Sequence, residues 1–170
     1  RIFNAAVAQD TTVAELTKYC DSVQFCLSKG LGAPVGSVLV GSHDLIKEAR
    51  IWRKRLGGGM RQAGILAAAG LIALEESPKR LHEDHTNARS LAEGIASLPG
   101  ITLDVETVET NIVVFDVSGT GRSREQICKL LKEKGVLASG FSSRIRMVTH
   151  CDIISADISA AIRALEDILT

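Results

Sequence analysis

A single lysine, Lys29, stands where an amine could act as a nucleophile. It lies in the stretch Ser28–Ser37 (SKGLGAPVGS), between the apolar runs Val23–Leu27 and Val35–Val40. Two buried strands joined by this glycine-rich turn would point the lysine into a cavity, where partial desolvation favours the neutral amine. A neutral amine can form a Schiff base with a carbonyl group. The alternative is a strand-end lysine that extends its ammonium group to water, and Lys29 alone does not decide between the two.

Three consecutive glycines, Gly57–Gly59, follow the basic end of a predicted helix. Glycines interrupt a helix, and the first N–H groups of the next helix are unpaired, so the segment predicts an anion site. Lys54 and Arg61 flank the glycines and add positive charge. The alternatives are a simple hinge for the glycines and a solvated helix charge for Lys54.

The third candidate is Arg146, which lies in the apolar, strand-like run 145–149. An unpaired guanidinium is costly to bury, so Arg146 is expected to grip a carboxylate through two parallel hydrogen bonds. Arg144 is expected on the opposite side of the strand, so that only one of the two arginines holds a ligand. A Schiff-base lysine, a phosphate site and a carboxylate clamp are what a pyridoxal-phosphate enzyme acting on an amino acid needs.

Metal binding is not predicted. His82 and His85 are spaced to share one helix face, but no third ligand accompanies them. Because a protein zinc site takes at least three protein ligands, a solvated charged face is the preferred interpretation.

Composition argues against several classes of protein. The chain of 170 residues has 20 basic and 20 acidic residues and no net charge, which disfavours nucleic-acid binding and a polybasic membrane anchor. The longest apolar run, residues 63–74, is too short to span a bilayer. Four cysteines without a C-x-x-C spacing indicate reduced thiols, which favours a cytoplasmic protein without disulfides or zinc.

The pattern of elements predicts two domains, residues 1–76 and 77–170. A capping box at Thr12 and Glu15 begins a short helix, and Ser42 and Ser123 cap two more. Ser77–Pro78 is expected to break or bend the chain. The predicted order of elements in the second part is α-β-β-α-β-β-α, which indicates an α+β domain with helices on one face of its sheet. Helices are predicted over residues 3–9, 12–18, 62–76, 81–98, 123–134 and 155–168, and strands over 21–27, 35–40, 101–105, 111–117, 136–137 and 145–149.

The motifs together resemble the low-specificity L-threonine aldolases, across essentially the whole chain. The resemblance is carried by SKGLGAPVGS at 28–37, by WRK at 52–54 with GGGMRQ at 57–62, and by R-x-V-T-H at 146–150. It implies an α/β fold: the C-terminal part of the large domain of a fold-type I pyridoxal-phosphate enzyme (1–76), then a small C-terminal α+β domain (77–170). It also implies cleavage of L-threonine or L-allo-threonine to glycine and acetaldehyde.

The resemblance implies roles for five residues. Lys29 matches the lysine that forms a Schiff base with pyridoxal 5'-phosphate, and Arg146 matches the arginine that grips the substrate carboxylate. Arg61 and Lys54 match cationic residues of the active-site region, with Arg61 reaching a phosphate across a subunit interface. Arg1 matches the arginine that closes the family's H-x-D-G-A-R motif near the cofactor ring.

The sequence departs from the family before Arg1. The D-G-A of that motif is absent, and so is the upstream region with the aspartate at the pyridine nitrogen. We therefore expect a fragment that lacks half of its site and is inactive alone, with a homo-oligomer or the missing N-terminal half as partner. Two alternatives remain open: a catalytically incompetent product that acts only as an interaction or oligomerisation module, and another pyridoxal-phosphate lyase or transaminase.

Overall fold

The computed structural model describes residues 1–170, which divide into two compact units, Arg1–Leu81 and His82–Thr170. The domain boundary expected from the sequence, between residues 76 and 77, stays a prediction. No helix of the structure has both the length and the apolar character needed to cross a membrane. The helices are α1 (Ile2–Ala8), α2 (Val13–Thr17), α3 (His43–Arg55), α4 (Gly64–Ile95), α5 (Arg124–Glu133) and α6 (Ser155–Leu169); the strands are β1 (Ser22–Cys26), β2 (Ser37–Gly41), β3 (Ile112–Asp116), β4 (Ser139–Phe141) and β5 (Arg144–Val148).

Side-chain caps begin three of these helices, where the sequence predicts them. Thr12 accepts a hydrogen bond from the Glu15 amide at 3.1 Å, and Ser42 accepts one from the Leu45 amide at 3.3 Å. Ser123 forms a full capping box with Gln126 at the start of α5. Each cap satisfies amide groups that the first helical turn leaves unpaired.

Helix α4 is continuous through Pro78, so a break at Ser77–Pro78 is wrong, while the alternative, a bend there, stays a prediction. Proline removes one hydrogen bond and costs a helix interior about 3 kcal/mol. Leu81 and Ala73, on either side of the proline, are buried in the first unit. Burying a leucine side chain gains about 2 kcal/mol, which offsets most of that cost.

The second unit has one antiparallel sheet in the order β3-β5-β4. Alternate residues of its strands point into the core, among them Val113, Phe115, Ile145 and Met147. Helices α5 and α6 contribute the other side of that core through Ile127, Leu131, Ile158 and Leu165.

Two predicted strands of this unit are wrong. Residues 101–105 form only a bridge from Thr102 to Asp116, because Asp104 accepts a hydrogen bond from the Glu106 amide and starts a 3-10 turn. The strand predicted at 136–137 lies instead at Ser139–Phe141. The Val136 amide donates to the Leu131 carbonyl at 2.9 Å, so it closes α5 after Gly135 and cannot begin a strand.

The first unit packs a small core around the turn between β1 and β2. Leu27, Leu31 and Ala33 of this turn are buried together with Ala73 of α4. Phe3 of α1 and Phe25 of β1 cover the cluster, and their rings meet edge to face at 5.4 Å. The turn is therefore held by helices from both ends of the unit.

Gly30 lies against α1 so closely that no larger residue fits. A Cβ atom at Gly30 would be 2.8 Å from Asn4 Oδ1 and 3.4 Å from Leu81 Cδ2. Asn4 and Leu81 are both buried, so neither side chain has room to move away.

Replacing Gly30 by alanine should therefore destabilise the first unit by about 1–3 kcal/mol, the cost of overpacking a filled core. Urea unfolding followed by the fluorescence of Trp52, the only tryptophan of the chain, measures the effect in this unit. Gly64→Ala is the matched control, because no atom lies within 4 Å of its added methyl group. An unchanged urea midpoint of unfolding for Gly30→Ala would show that Gly30 does not lie tightly against Asn4 and Leu81.

Candidate functional site

The turn after β1 buries its apolar side chains and presents Lys29 to solvent. The Leu27 amide donates to the Gly36 carbonyl at 2.9 Å, and the Ala33 amide donates to the Leu27 carbonyl at 3.0 Å. Between these two bonds, the Gly32 amide donates to the Lys29 carbonyl at 2.8 Å and so closes a tight turn. The backbone of the lysine is fixed, while its amine stays accessible.

The expectation that Lys29 points into a cavity between two buried strands is wrong for this chain. Lys29 is exposed, and most residues of β1 and β2 are exposed or half-buried. The reason is that β1 and β2 pair only with each other, so little of their surface is covered. Lys29 forms no ion pair with a carboxylate, which leaves its amine available to an aldehyde.

The glycine segment is not the bare helix N-terminus that the sequence predicts. The Gly58 amide donates to the Arg53 carbonyl at 2.8 Å, and the Gly57 amide donates to the Lys54 carbonyl at 3.2 Å. With Gly57 at a φ of +83°, this is a Schellman cap that ends α3. Helix α4 begins only at Gly64, so the glycine amides and the next helix do not form one anion cradle.

The cationic side chains around the glycines remain exposed. Lys54 folds over Gly59, where its Cδ lies 2.8 Å from the position that a Cβ atom would take. Neither Lys54 nor Arg61 has a hydrogen-bond or ion-pair partner, and both are solvent-accessible. Any anion bound here would be held by these side chains and not by the glycine amides.

Arg1 lies at the start of α1, near the lysine turn. Asn4, three residues further along α1, packs against Gly30 of that turn, and Arg1 itself is exposed. The role of Arg1 beside a cofactor ring stays a prediction.

In the second unit, Arg144 and Arg146 lie on the same face of β5, and the expectation of opposite sides is wrong. Residues two apart in a strand share a face, and the buried residues Ile145 and Met147 occupy the other one. The shared face does not make the two arginines equivalent, because their cross-strand neighbours differ.

Arg144 has a carboxylate beside it, and Arg146 does not. Arg144 pairs in register with Asp116. Hydrogen bonds from Ser118 and Ser143 lower the pKa of Asp116 to about 2, and the charge of Arg144 adds to that effect. Arg146 lies between Val114 and Ser139, is half-buried, and has no hydrogen-bond or ion-pair partner. Its guanidinium therefore keeps its donors for a carboxylate and has no acidic cross-strand neighbour.

Two residues that were not predicted as site residues, Cys26 and Ser37, lie at the ends of the turn that carries Lys29. They are opposite each other at the end of the β1–β2 pair, and the Ser37 hydroxyl donates to the Cys26 sulfur at 3.6 Å. Their signal in the sequence is positional, because they stand at the two ends of the turn that carries Lys29.

Comparison with known proteins gives consistent results. A family model described as beta-eliminating lyase matches residues 1–118. Low-specificity L-threonine aldolase 1 of Arabidopsis thaliana is 50% identical over 160 residues, which cover 93% of this chain and 45% of that protein. Low specificity L-threonine aldolase of Escherichia coli (strain K12) is 47% identical over 153 residues, which cover 90% of this chain and 44% of that protein. The chain spans about half the length of the curated relatives it matches.

Solved structures share the fold. A crystal structure of a putative L-allo-threonine aldolase from Listeria monocytogenes EGD-E superposes with a TM-score of 0.79 at 23% identity, covering 98% of this chain and 50% of that one. A crystal structure of a putative aromatic amino acid beta-eliminating lyase/threonine aldolase from Exiguobacterium sp. 255-15 superposes with a TM-score of 0.77 at 21% identity. The predicted α/β fold class is confirmed, because the chain shares the fold of these two structures.

The absence of a partner for Arg146 leads to a stability prediction. Arg146→Met should change the free energy of unfolding by less than about 0.5 kcal/mol, because no hydrogen bond is lost. Arg124→Met is the matched control: Arg124 donates to the Gly140 carbonyl at 2.9 Å, and losing that bond should cost about 1–2 kcal/mol. Urea unfolding followed by circular dichroism measures the free energy of unfolding of both variants. An equal loss of stability in Arg146→Met and Arg124→Met would mean that Arg146 has a structural role.

Proposed function

The chain belongs to the beta-eliminating lyase family, and on that premise we propose that it supplies part of a pyridoxal-phosphate-dependent aldolase site. The proposed reaction is the cleavage of L-threonine or L-allo-threonine to glycine and acetaldehyde. The observation that carries the proposal is Lys29, an exposed amine without a carboxylate partner, on a turn that Gly30, Leu31 and Ala33 fix in place.

The side chains of this unit match what pyridoxal phosphate requires. Its aldehyde needs an amine, which Lys29 offers. Its phosphate needs cations, and Lys54 and Arg61 are exposed and carry no counter-charge of their own. Arg1 would lie beside the ring. When bound, the cofactor supplies an aldehyde for the amine and a ring that takes up the electron pair left at the substrate Cα.

Lys29 and Arg146 divide the work on the substrate in this proposal. The Lys29 amine would hold the cofactor through its aldehyde until the amine of the substrate takes its place. Arg146 binds the substrate carboxylate through two N–H groups, which fixes the orientation of the bond between Cα and Cβ. A base among the residues that complete the site would take the hydroxyl proton as that bond breaks, which releases acetaldehyde, and a proton returned to Cα would yield glycine.

Further residues must complete such a site, and we propose that they come from the remainder of a longer protein or from a second copy. Large apolar residues of the first unit that no part of this chain covers support such a partner, namely Leu39, Val40, Ile65, Leu71 and Ile72. All four cysteines are free thiols, and we propose a cytoplasmic location. The same uncovered surface favours a second candidate function, an interaction module without catalysis.

Covalent labelling of Lys29 separates the two functions. After incubation with pyridoxal phosphate and reduction with borohydride, peptide mass spectrometry should find the label at Lys29 several-fold more often than at other exposed lysines. Lys29→Met should remove this label. Lys79→Met is the matched control, because Lys79 is exposed and already paired with Glu76 at 2.9 Å. Equal labelling of Lys29 and Lys79 in the unchanged chain would favour the interaction module.

The same assay tests the phosphate-binding role of Lys54 and Arg61. Replacing either by methionine should weaken labelling by pyridoxal phosphate about two- to fivefold, the effect of losing one exposed charge contact. Labelling by pyridoxal, which has no phosphate, should stay the same. If both reagents lose labelling equally, the two cations do not bind the phosphate.

A further inference from the structure

The turn that follows β5 is anchored at its start by buried polar groups. The Thr149 amide donates to the Asn111 carbonyl at 3.1 Å, and Asn111 Nδ2 donates back to the Thr149 carbonyl at 2.6 Å. The Thr149 hydroxyl donates to the Asp84 carbonyl of α4 at 2.6 Å. Thr149 and Asn111 are both buried, so the backbone enters the turn in a fixed position.

The end of the turn is also held by hydrogen bonds. The Ile153 amide donates to the His150 carbonyl at 2.8 Å and closes the turn. Asn87 of α4 donates its side-chain amide to the Ile153 carbonyl at 3.0 Å. Between these two anchors the turn exposes three consecutive side chains, those of His150, Cys151 and Asp152.

These three side chains bring a nitrogen, a sulfur and an oxygen atom together. One ligand atom of each residue lies within 4.8 Å of the other two, and His150 Nδ1 is 3.4 Å from Asp152 Oδ2. A tetrahedral zinc ion holds nitrogen and oxygen ligands at about 2.0–2.1 Å, which places them about 3.4 Å from each other. The Cys151 thiol is free and exposed, so its side chain can rotate toward the other two.

We infer that His150, Cys151 and Asp152 form a binding site for a divalent metal ion of the zinc class. Zinc binds imidazole nitrogen, thiolate sulfur and carboxylate oxygen, whereas Mg²⁺ and Ca²⁺ take oxygen ligands. The metal would replace the long, weak hydrogen bond that His150 Nδ1 accepts from the Asp152 amide at 3.4 Å. Binding converts the Cys151 thiol to a thiolate and releases its proton to the solvent, and water fills the fourth position.

The cysteine spacing, from which no zinc site was predicted, does not bear on this set of ligands, because the set contains a single cysteine. An ion pair between His150 and Asp152 without a metal would also explain their separation. His43 and Asp44 form such an exposed pair at 3.8 Å, and no cysteine completes a ligand set there. They provide the matched control.

Titration with Co²⁺ tests the sulfur ligand. The unchanged chain, reduced and kept under argon, should give a thiolate-to-cobalt absorption band that saturates at one ion per chain. Zn²⁺ should abolish the band by displacing cobalt, and the same excess of Mg²⁺ should leave it. Cys151→Ser should remove the band, whereas Cys20→Ser, which removes another exposed thiol, should keep it.

Competition with a chromogenic zinc chelator tests the other two ligands. His150→Gln and Asp152→Asn should each weaken zinc binding at least about tenfold, because even the loss of a contact that supports a metal ligand has that effect. His43→Gln should bind zinc as tightly as the unchanged chain. Circular dichroism confirms that the variants are folded, as expected for substitutions of exposed residues.

The inference is overturned if the unchanged chain gives no thiolate-to-cobalt band, if Cys151→Ser keeps the band, or if His150→Gln binds zinc as tightly as His43→Gln. None of the three ligands belongs to the residues proposed for the aldolase reaction. The measurements contain neither pyridoxal phosphate nor substrate, so the metal site and the proposed function stand or fall separately.

Discussion

The position of Lys29 depends on one close contact, between the backbone of Gly30 and the buried side chain of Asn4. This contact joins the turn to α1. On the other side, Ser77 of α4 donates its hydroxyl to the Leu31 carbonyl at 2.6 Å. The backbone of this exposed lysine is therefore held in place by two helices that carry none of the proposed site residues. Mutations in α1 or in the middle of α4 can displace the nucleophile without altering any charged group.

Local hydrogen bonding explains which elements could be predicted from the sequence. Helix starts at Thr12, Ser42 and Ser123 are correct because a cap needs only residues within one turn of each other. Helix ends were harder to predict, since the amides after Gly57 and Gly135 could either cap the preceding helix or belong to the next helix or strand. In both places they close the helix, which removes an expected anion cradle and an expected strand start.

The neighbours of the site residues were less predictable than their identities. Lys29, Lys54, Arg61 and Arg146 can be chosen from residue type and motif, but the partner of each depends on strand register. Register places Asp116 beside Arg144 and only uncharged residues beside Arg146. It also places Ser37 against Cys26, although the two residues are 11 positions apart in the chain. Such pairs follow from the length of the turn and the packing beneath it, which composition does not reveal.

The closed end of α3 has a consequence for how an anion would be recognised. Backbone amides at a helix N-terminus are rigid dipoles that remain effective in salt. Lys54 and Arg61 instead offer full charges on long, mobile side chains in open solvent, where screening acts over about 8 Å at physiological ionic strength. Recognition of a phosphate by this segment would therefore be sensitive to ionic strength and tolerant of the exact placement of the anion. A segment with these properties suits a ligand whose position is set elsewhere, by its covalent bond to a lysine.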